Sequence, residues 1–323
     1  MSEISPTTGK LLALSMLKGI GPATLRKMAS MANFESATAE SMSYQFPANS
    51  TILRDSLAWK HALDGAEKQV EQAERHGARI LSPLDPDYPT LLAATKDDPF
   101  LLFVRGSLAP EAAKSVAVIG TREPTKHGAL IAERIAQYLA EQGWSVVSGL
   151  AKGCDAIAHR AALDHDGHTV AVLAHGLHTV APKTNARLAE DILNKGGALV
   201  SEYRFGIEPK RDRTQAGLAQ GVVMVQSDLK GGSLHASRAA LDYGRWLAAP
   251  YPTDLDRING EAKIQANLTF ADGSKQDRMD LLRCPATALD QLIVLRSRED
   301  YSKMLLSNPT EKTALEPMQG GLI

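Results

Sequence analysis

The chain has 323 residues, 44% apolar and 23% charged, a balance that excludes a collagen-like fibre and wholesale disorder and, at roughly 100 to 200 residues per domain, predicts two domains or one core with appendages. With 36 basic against 37 acidic side chains the net charge is −1, so no global field draws a polyanion and any such site must be local. Cys154 and Cys284 are too few for a disulfide scaffold and fit a reducing, cytoplasmic setting. The opening MSEISPTTGKLLALSMLKGIG lacks the basic start and clean apolar core of a secretory signal, and no run approaches the ~20 apolar residues of a bilayer span.

From Leu11 to about Ala73 the spacing predicts a small helical domain, with Leu11, Leu12, Leu14, Met16 and Leu17 covering helix faces. Gly19-Ile20-Gly21-Pro22 ends one helix and starts the next, since Gly permits a tight turn and Pro is tolerated at a first helical position. The turn resembles a helix-hairpin-helix, whose free amides face a phosphate. Only Lys18, Arg26 and Lys27 flank it, however, and that sparse charge favours a plain interhelical turn. The Pro- and Asp-rich stretch from Ser82 to Gly106 reads as a junction entering a strand at Leu101 to Val104.

Apolar runs then alternate with helix-period segments: Ser115 to Ile119, Trp144 to Val147, Thr169 to Leu173, Ala198 to Val200, Gly221 to Val225 and Arg245 to Ala249. Ile131, Ile135 and Leu139 mark one covering helix, and Leu234, Ala239 and Leu241 another. The pattern predicts an α/β fold: an extended Rossmann-like parallel sheet with helices on both faces, preceded by the small all-helical domain. The expected division is 1–80 helical, 81–265 Rossmann-like and 266–323 a C-terminal extension. In that extension Asn267 to Ala271 suggests a strand, Ala286 to Ser297 a short helix, and Leu306 to Ile323 weak order.

In such a sheet ligands bind beyond the carboxyl ends of the strands, where helix N-termini and loop amides carry partial positive charge. The first such loop is Gly120-Thr121-Arg122, offering close backbone approach, a hydroxyl and a forked cation; G-x-G-x-x-G is absent, which weighs against a dinucleotide. The second runs from Gly149 through Lys152 and Gly153 to Asp155, a helix-capping position before Ala156, and does not have the order of a P-loop. Lys183 follows the next strand, with Asn185 placed to cap or orient a loop. Arg211 and Arg213 precede another helix, and Lys230, Gly232 and Ser233 a further one. Each cation alone is ordinary surface charge, but their shared topological address makes a polyanion site the economical reading.

Three-residue spacings of His165 with His168 and His175 with His178 do not form a metal motif, and no second cysteine completes a zinc set with Cys154. Ser148 and Cys154 sit in glycine-rich turns without a nucleophile elbow, so no catalytic constellation, cofactor or metal is expected.

DPDYPTLL with DDPFLLFVRG, SVAVIGTREPTKHG, VVSGLAKGCDAIAHRAAL, TVAVLAHGL, GGALVSEY, KRDRTQAGLA and KGGSLHASRAAL, running in that order from about Asp85 to Pro250, resemble the DprA/Smf family of DNA-processing proteins. The resemblance implies an extended Rossmann fold that binds single-stranded DNA and helps load RecA in transformation or recombination, preceded by a sterile-alpha-motif-like or helix-hairpin-helix domain. By position it implies that Gly120, Thr121 and Arg122 grip the DNA backbone, that Gly149 to Asp155 shapes the pocket, and that Arg211, Asp212, Arg213 and Gly232, Ser233, Leu234 stand for two further family motifs. Asp212 departs from that pattern by placing a negative charge beside a phosphate contact. The stretch after Pro250 matches poorly, and no winged helix is evident at the end, so RecA contact and homodimerisation are implied less firmly than DNA binding. With aromatic residues at 5%, base stacking is limited to candidates such as Tyr203, Phe205 and Tyr243, and slight sequence preference is expected. The alternative is a pocket for a nucleotide, as sensor or as enzyme on a phosphorylated nucleoside, although the P-G-G-x-G-T turn of such enzymes is missing.

Overall fold

The computed structural model of the chain describes residues 4–109, 114–207 and 214–306. Five helices come first: α1 (Pro6–Met16), α2 (Pro22–Ala29), α3 (Ala39–Gln45), α4 (Ser50–Arg54) and α5 (Ser56–Arg75). Pro22 opens α2, and Gly19 takes φ +85° in the turn before it, a conformation open to glycine without strain. Arg26 of α2, just past that turn, pairs with the buried Asp98 carboxylate at 3.3 Å. It ties the helices to the junction, which leaves the turn with an interhelical role. Leu11, Leu12 and Leu14 are buried in a core shared with Phe103, Leu173 and Leu199 of the sheet, so the helical region packs directly on it.

The sheet has nine strands: β1 (Ala78–Leu81), β2 (Leu102–Gly106), β3 (Ser115–Ile119), β4 (Ser145–Ser148), β5 (Thr169–Val172), β6 (Ala198–Ser201), β7 (Gly221–Met224), β8 (Trp246–Pro250) and β9 (Leu292–Leu295). The helices among them are α6 (Thr90–Ala93), α7 (Lys126–Glu141), α8 (Cys154–Asp164), α9 (Ala186–Asn194), α10 (Thr214–Gly217), α11 (Ser233–Asp242), α12 (Asp254–Ile258), α13 (Gln265–Asp272) and α14 (Lys275–Leu282), with α15 (Ser302–Leu306) after β9. Spatial order is β1-β2-β6-β5-β4-β3-β7-β8-β9. From β6 to β9 all neighbours are parallel, whereas β1 with β2 and β2 with β6 are antiparallel. The sheet is therefore the expected Rossmann-like parallel one, with two antiparallel strands added at one edge.

Alternation along β3 shows how the layers form. Val116 and Val118 point into a core with Ile135 and Leu139 of α7 and Ala158 and Ala162 of α8, while Ala117 and Ile119 face the other side with Leu234 and Ala240 of α11 and Phe270 of α13. The chain winds outward from β3 through β4 and β5 to β6, returns to β7 on the other side of β3, and winds outward again. The junction of β3 with β7 is thus a topological switch point, where the loops leaving neighbouring strands diverge and open a crevice.

Two expectations past Pro252 are corrected. Asn267 to Ala271 is helical, within α13: Asn267 accepts from Ser227 N–H at 3.2 Å and donates to the carbonyls of Val225 at 2.9 Å and Pro250 at 3.1 Å, while Phe270 is fully buried one turn on. The segment Ala286 to Ser297 splits into a 3-10 turn, Ala286–Gln291, and strand β9, which pairs with Leu247 to Pro250. The stretch after 265 thereby completes the sheet edge; of the span expected to be weakly ordered, residues 307–323 lie outside the described residues.

Candidate nucleic-acid interface

The loops leaving β3 and β7 are stitched together. Thr121 N–H donates to Gln226 O at 2.8 Å, and the Gln226 carboxamide accepts from Thr125 N–H at 3.0 Å while donating to Thr125 Oγ1 at 2.9 Å. Thr125 caps α7 by accepting from Gly128 N–H at 3.0 Å and donates its hydroxyl to Asp256 at 3.0 Å. A polar latch beside the switch point therefore fixes where Gly120 to Arg122 begin.

The β4–α8 turn is pressed against this loop. Cys154 N–H donates to Thr121 O at 3.1 Å. Gly153 has φ +76°, and a Cβ on it would lie 2.4 Å from Thr121 O and 2.5 Å from the Arg122 carbonyl, so only glycine fits. Gly120 is required for a parallel reason, because its Cβ would meet Cys154 Sγ at 2.6 Å. Asn185 is buried and donates to the carbonyls of Leu150 at 2.8 Å and Ala151 at 3.2 Å, which makes it the residue that orients this turn. Helix α8 begins at Cys154 and its cap is Gly153; Asp155 lies inside the first turn and accepts from Ala151 N–H at 3.3 Å.

Between these loops lies a cavity of about 490 Å³, within the range of small-molecule sites. Gly120, Thr121, Arg122, Gly149, Lys230, Gly232 and Ser233 line it, as expected. Lys152, Gly153 and Lys183 do not; they stand on neighbouring loops of the same sheet edge. Arg211 and Arg213 lie outside the described residues. Asp155, Gln215, Ser227, Asp228, His235 and Lys263 also line the cleft, and except for Asp155, expected as a cap and as the end of the turn that shapes the pocket, sequence reasoning missed them. Lys263 pairs with Asp228 at 3.2 Å. By contrast, Arg122, Lys152, Lys183 and Lys230 are exposed and have no ion pair among the described residues. They are free to meet an incoming anion, and α11 adds an N-terminus whose Gly232 cap makes no side-chain bond.

The groups near the cleft are unsuited to nucleophilic attack. Burial pushes the Cys154 thiol up to about 12, leaving it protonated at neutral pH, and Ser148 donates its hydroxyl to Val118 O at 2.6 Å. His159 is sealed in the core against Thr169 Oγ1 at 2.7 Å, and burial pushes it down to about 3. The paired histidines have structural bonds of their own: His168 to Ser145 Oγ at 2.8 Å and Ser107 O at 3.0 Å, His175 to Gly176 O at 3.0 Å. Around the cavity stand the exposed Arg122 and Lys230, glycine amides and short hydroxyls, groups that suit an anion, beside the carboxylates of Asp155 and Asp228.

Comparison with known proteins follows the same residues. The family model described as DNA recombination-mediator protein A matches residues 79–275. The chain belongs to that family. Protein Smf of Escherichia coli is 39% identical over 211 residues, covering 63% of this chain and 52% of the relative. DNA processing protein DprA of Streptococcus pneumoniae is 40% identical over 184 residues, covering 55% of this chain and 64% of the relative. This chain thus spans between about half and two thirds of these two relatives. The X-ray structure of DNA processing protein A from S. pneumoniae superposes with a TM-score of 0.67 at 26% identity, covering 93% of this chain and 98% of that one. DNA processing protein A from Helicobacter pylori, solved to describe its single-stranded DNA binding mode, shares the fold with a TM-score of 0.54 at 24% identity, covering 70% of this chain and 95% of its own.

Proposed function

We propose that this family member binds single-stranded DNA through its phosphate backbone, without catalysing a reaction, at the sheet edge around the β3/β7 switch point. The observation that carries the reading is the convergence of Gly120 to Arg122 with Lys230 to Ser233 on one cleft, where Arg122 and Lys230 are exposed and have no ion pair among the described residues. Gly149, Lys152, Gly153 and Lys183 extend the same edge, and Arg211 and Arg213 join the proposal from sequence. Amides and hydroxyls position the backbone, and displaced counterions supply much of the affinity. In this reading residues 1–80 form the helical unit, 81–265 the DNA-processing core, and the remainder an extension. The family resemblance adds a cytoplasmic role in transformation or recombination, transfer of the strand to RecA and action as a homodimer. Among the described residues no helix is long and apolar enough to cross a membrane.

An electrophoretic shift with matched single- and double-stranded oligonucleotides tests the reading. The single strand should bind more tightly, and Arg122→Ala should weaken binding across all sequences alike; equal affinity for both forms, or no effect of the substitution, would refute it. Pull-down of RecA by the DNA-bound chain, and sedimentation of the chain alone, test the two partners.

A further inference from the structure

Among the described residues no Phe, Trp or Tyr lines the cleft at the switch point, although proteins that hold a single strand commonly stack its bases on such rings. Of the aromatic residues expected to stack, Phe205 is 6% exposed, while Tyr203 and Tyr243 line a separate cavity among the carboxylates of Asp97, Asp98 and Glu202. The most exposed aromatic side chain among the described residues is Tyr44 of α3, at 66%. It lines a cavity of about 680 Å³ with Arg54 of α4 and Trp59, Lys60 and Leu63 of α5. The Arg54 guanidinium stands over the Tyr44 ring at 5.0 Å, and Trp59 is fixed by donating its indole N–H to Leu53 O at 2.6 Å. Leu63 is 56% exposed, so this wall is open to solvent. Glu40 and Asp64 also line the groove and balance the charges of Arg54 and Lys60. Such a neutral, partly aromatic wall suits an uncharged ring better than a phosphate.

The groove stands on the same side of the sheet as the cleft. Ala78, just after α5, pairs with Arg105, which in turn faces Leu199 near the start of β6. Gln69 instead holds Phe205 beyond the end of β6, accepting from its N–H at 2.8 Å and donating to its carbonyl at 3.3 Å. From Arg75 back to Gln69 the helix therefore climbs from the amino edge of the parallel strands to the carboxyl edge, and Leu63 and Trp59 lie about 9 to 15 Å further along it. Between cleft and groove the strand order is β3-β4-β5-β6. Arg122, Lys152 and Lys183 stand on the connections leaving the first three, at about 4.8 Å per strand. The two lysines do not line the cleft, yet they are exposed and belong to the row that leads from it to Phe205 and α5. We propose that the groove of Tyr44 and Trp59 is a base-binding subsite for single-stranded DNA, stacking a base of the strand whose backbone runs from Arg122 past Lys152 and Lys183. The proposal rests on the single-stranded DNA reading and gives the helical unit a part in it.

The test is fluorescence anisotropy with the full chain and oligothymidylates of increasing length. A strand long enough to reach from Arg122 to the groove should bind the parent roughly 5- to 150-fold more tightly than Tyr44→Ala, the ratio expected for one stacked base, while shorter strands bind both proteins alike. Tyr44→Phe, which keeps the ring, should retain the long-strand affinity. Stacking releases no counterion, so the salt slope of Tyr44→Ala should match the parent's, unlike that of Arg122→Ala. Leu63→Asp places a charge in the groove at an exposed position; it should act as Tyr44→Ala does, and serves should that variant not fold. Equal affinity of parent and Tyr44→Ala at every length, or a loss just as large for the shortest strands, would overturn the subsite; with the Arg122→Ala effect intact, the phosphate site would still stand. Failure of every oligothymidylate to bind would remove both.

Discussion

Replacing Gly153 by Ala should damage stability and DNA binding together, because this residue stands where the β4–α8 turn meets the Thr121-Arg122 backbone. At φ +76° and ψ −130° an L-residue is in a region reached essentially by glycine alone, a penalty of about 1–3 kcal/mol. The new Cβ would also lie 2.4 Å from Thr121 O and 2.5 Å from the Arg122 carbonyl. Both are main-chain atoms, so no rotamer change relieves the contact; the turn must separate from the β3 loop, straining the Cys154 N–H bond to Thr121 O. The total expected loss is about 3 kcal/mol, a sizeable part of an ordinary domain's 5–15 kcal/mol. Gly232→Ala is the internal control: Gly232 has φ −61° and ψ −30°, with nothing within 4 Å of an added Cβ, so its stability should change by less than about 1 kcal/mol. Urea unfolding of both variants gives the stabilities, and anisotropy with an oligothymidylate the affinities. Equal stability of the two variants, or a Gly153→Ala protein that is destabilised yet binds DNA as the parent does, would refute the claim that this contact sets the Arg122 loop.

Asp155→Asn should change how stability depends on pH. His159, pushed down to about 3 from 6.5, costs stability as pH falls below 6.5, since the unfolded chain takes up a proton the folded one refuses; Asp155, raised to about 6 from 3.8, does the reverse and loses its contribution as pH rises through 6. The two oppose each other between 3.8 and 6, so as pH falls through that window the variant should lose about 3 kcal/mol relative to the parent; parallel urea-derived stability profiles would contradict this. Arg245→Ala strips the donors from the carbonyls of Ala216, Gly217, Ala219 and Leu91, and a fall of about 3 kcal/mol or more is expected in calorimetry; a loss under 1 kcal/mol would mean water replaces the guanidinium. Asn185→Ala frees the Leu150 and Ala151 carbonyls and should cost about 1–3 kcal/mol while weakening oligothymidylate binding, whereas unchanged affinity would detach that turn from the site.

The parallel strands were legible because each is buried on both faces and reads as an uninterrupted apolar run; Ser115 to Ile119 is recovered to the residue. Strand β1 was hidden by its shortness and by Arg79, which points out to Asp87 at 2.6 Å. The sequence Asn267-Leu268-Thr269-Phe270 has strand composition, yet it is helical because Asn267 finds its partners at the ends of β7 and β8; that is tertiary context, invisible to local pattern. The site divides in the same way. Glycines and cations after β3, β4 and β7 were placed by topology alone. Gln226, Asp256 and Lys263 act across long sequence separations, and only the assembled switch point brings them together. Asn185 was anticipated in role, though its targets, Leu150 and Ala151, were not.

The salt dependence of binding to an oligothymidylate, measured for the parent and Arg122→Ala, tests the central claim most directly. If the exposed cations at the switch point hold successive phosphates, log affinity falls linearly with log salt at about −0.7 per contact, and the variant's line is both lower and shallower by about one contact. An affinity indifferent to salt, or parallel lines for the two proteins, would contradict phosphate recognition by Arg122 at this cleft.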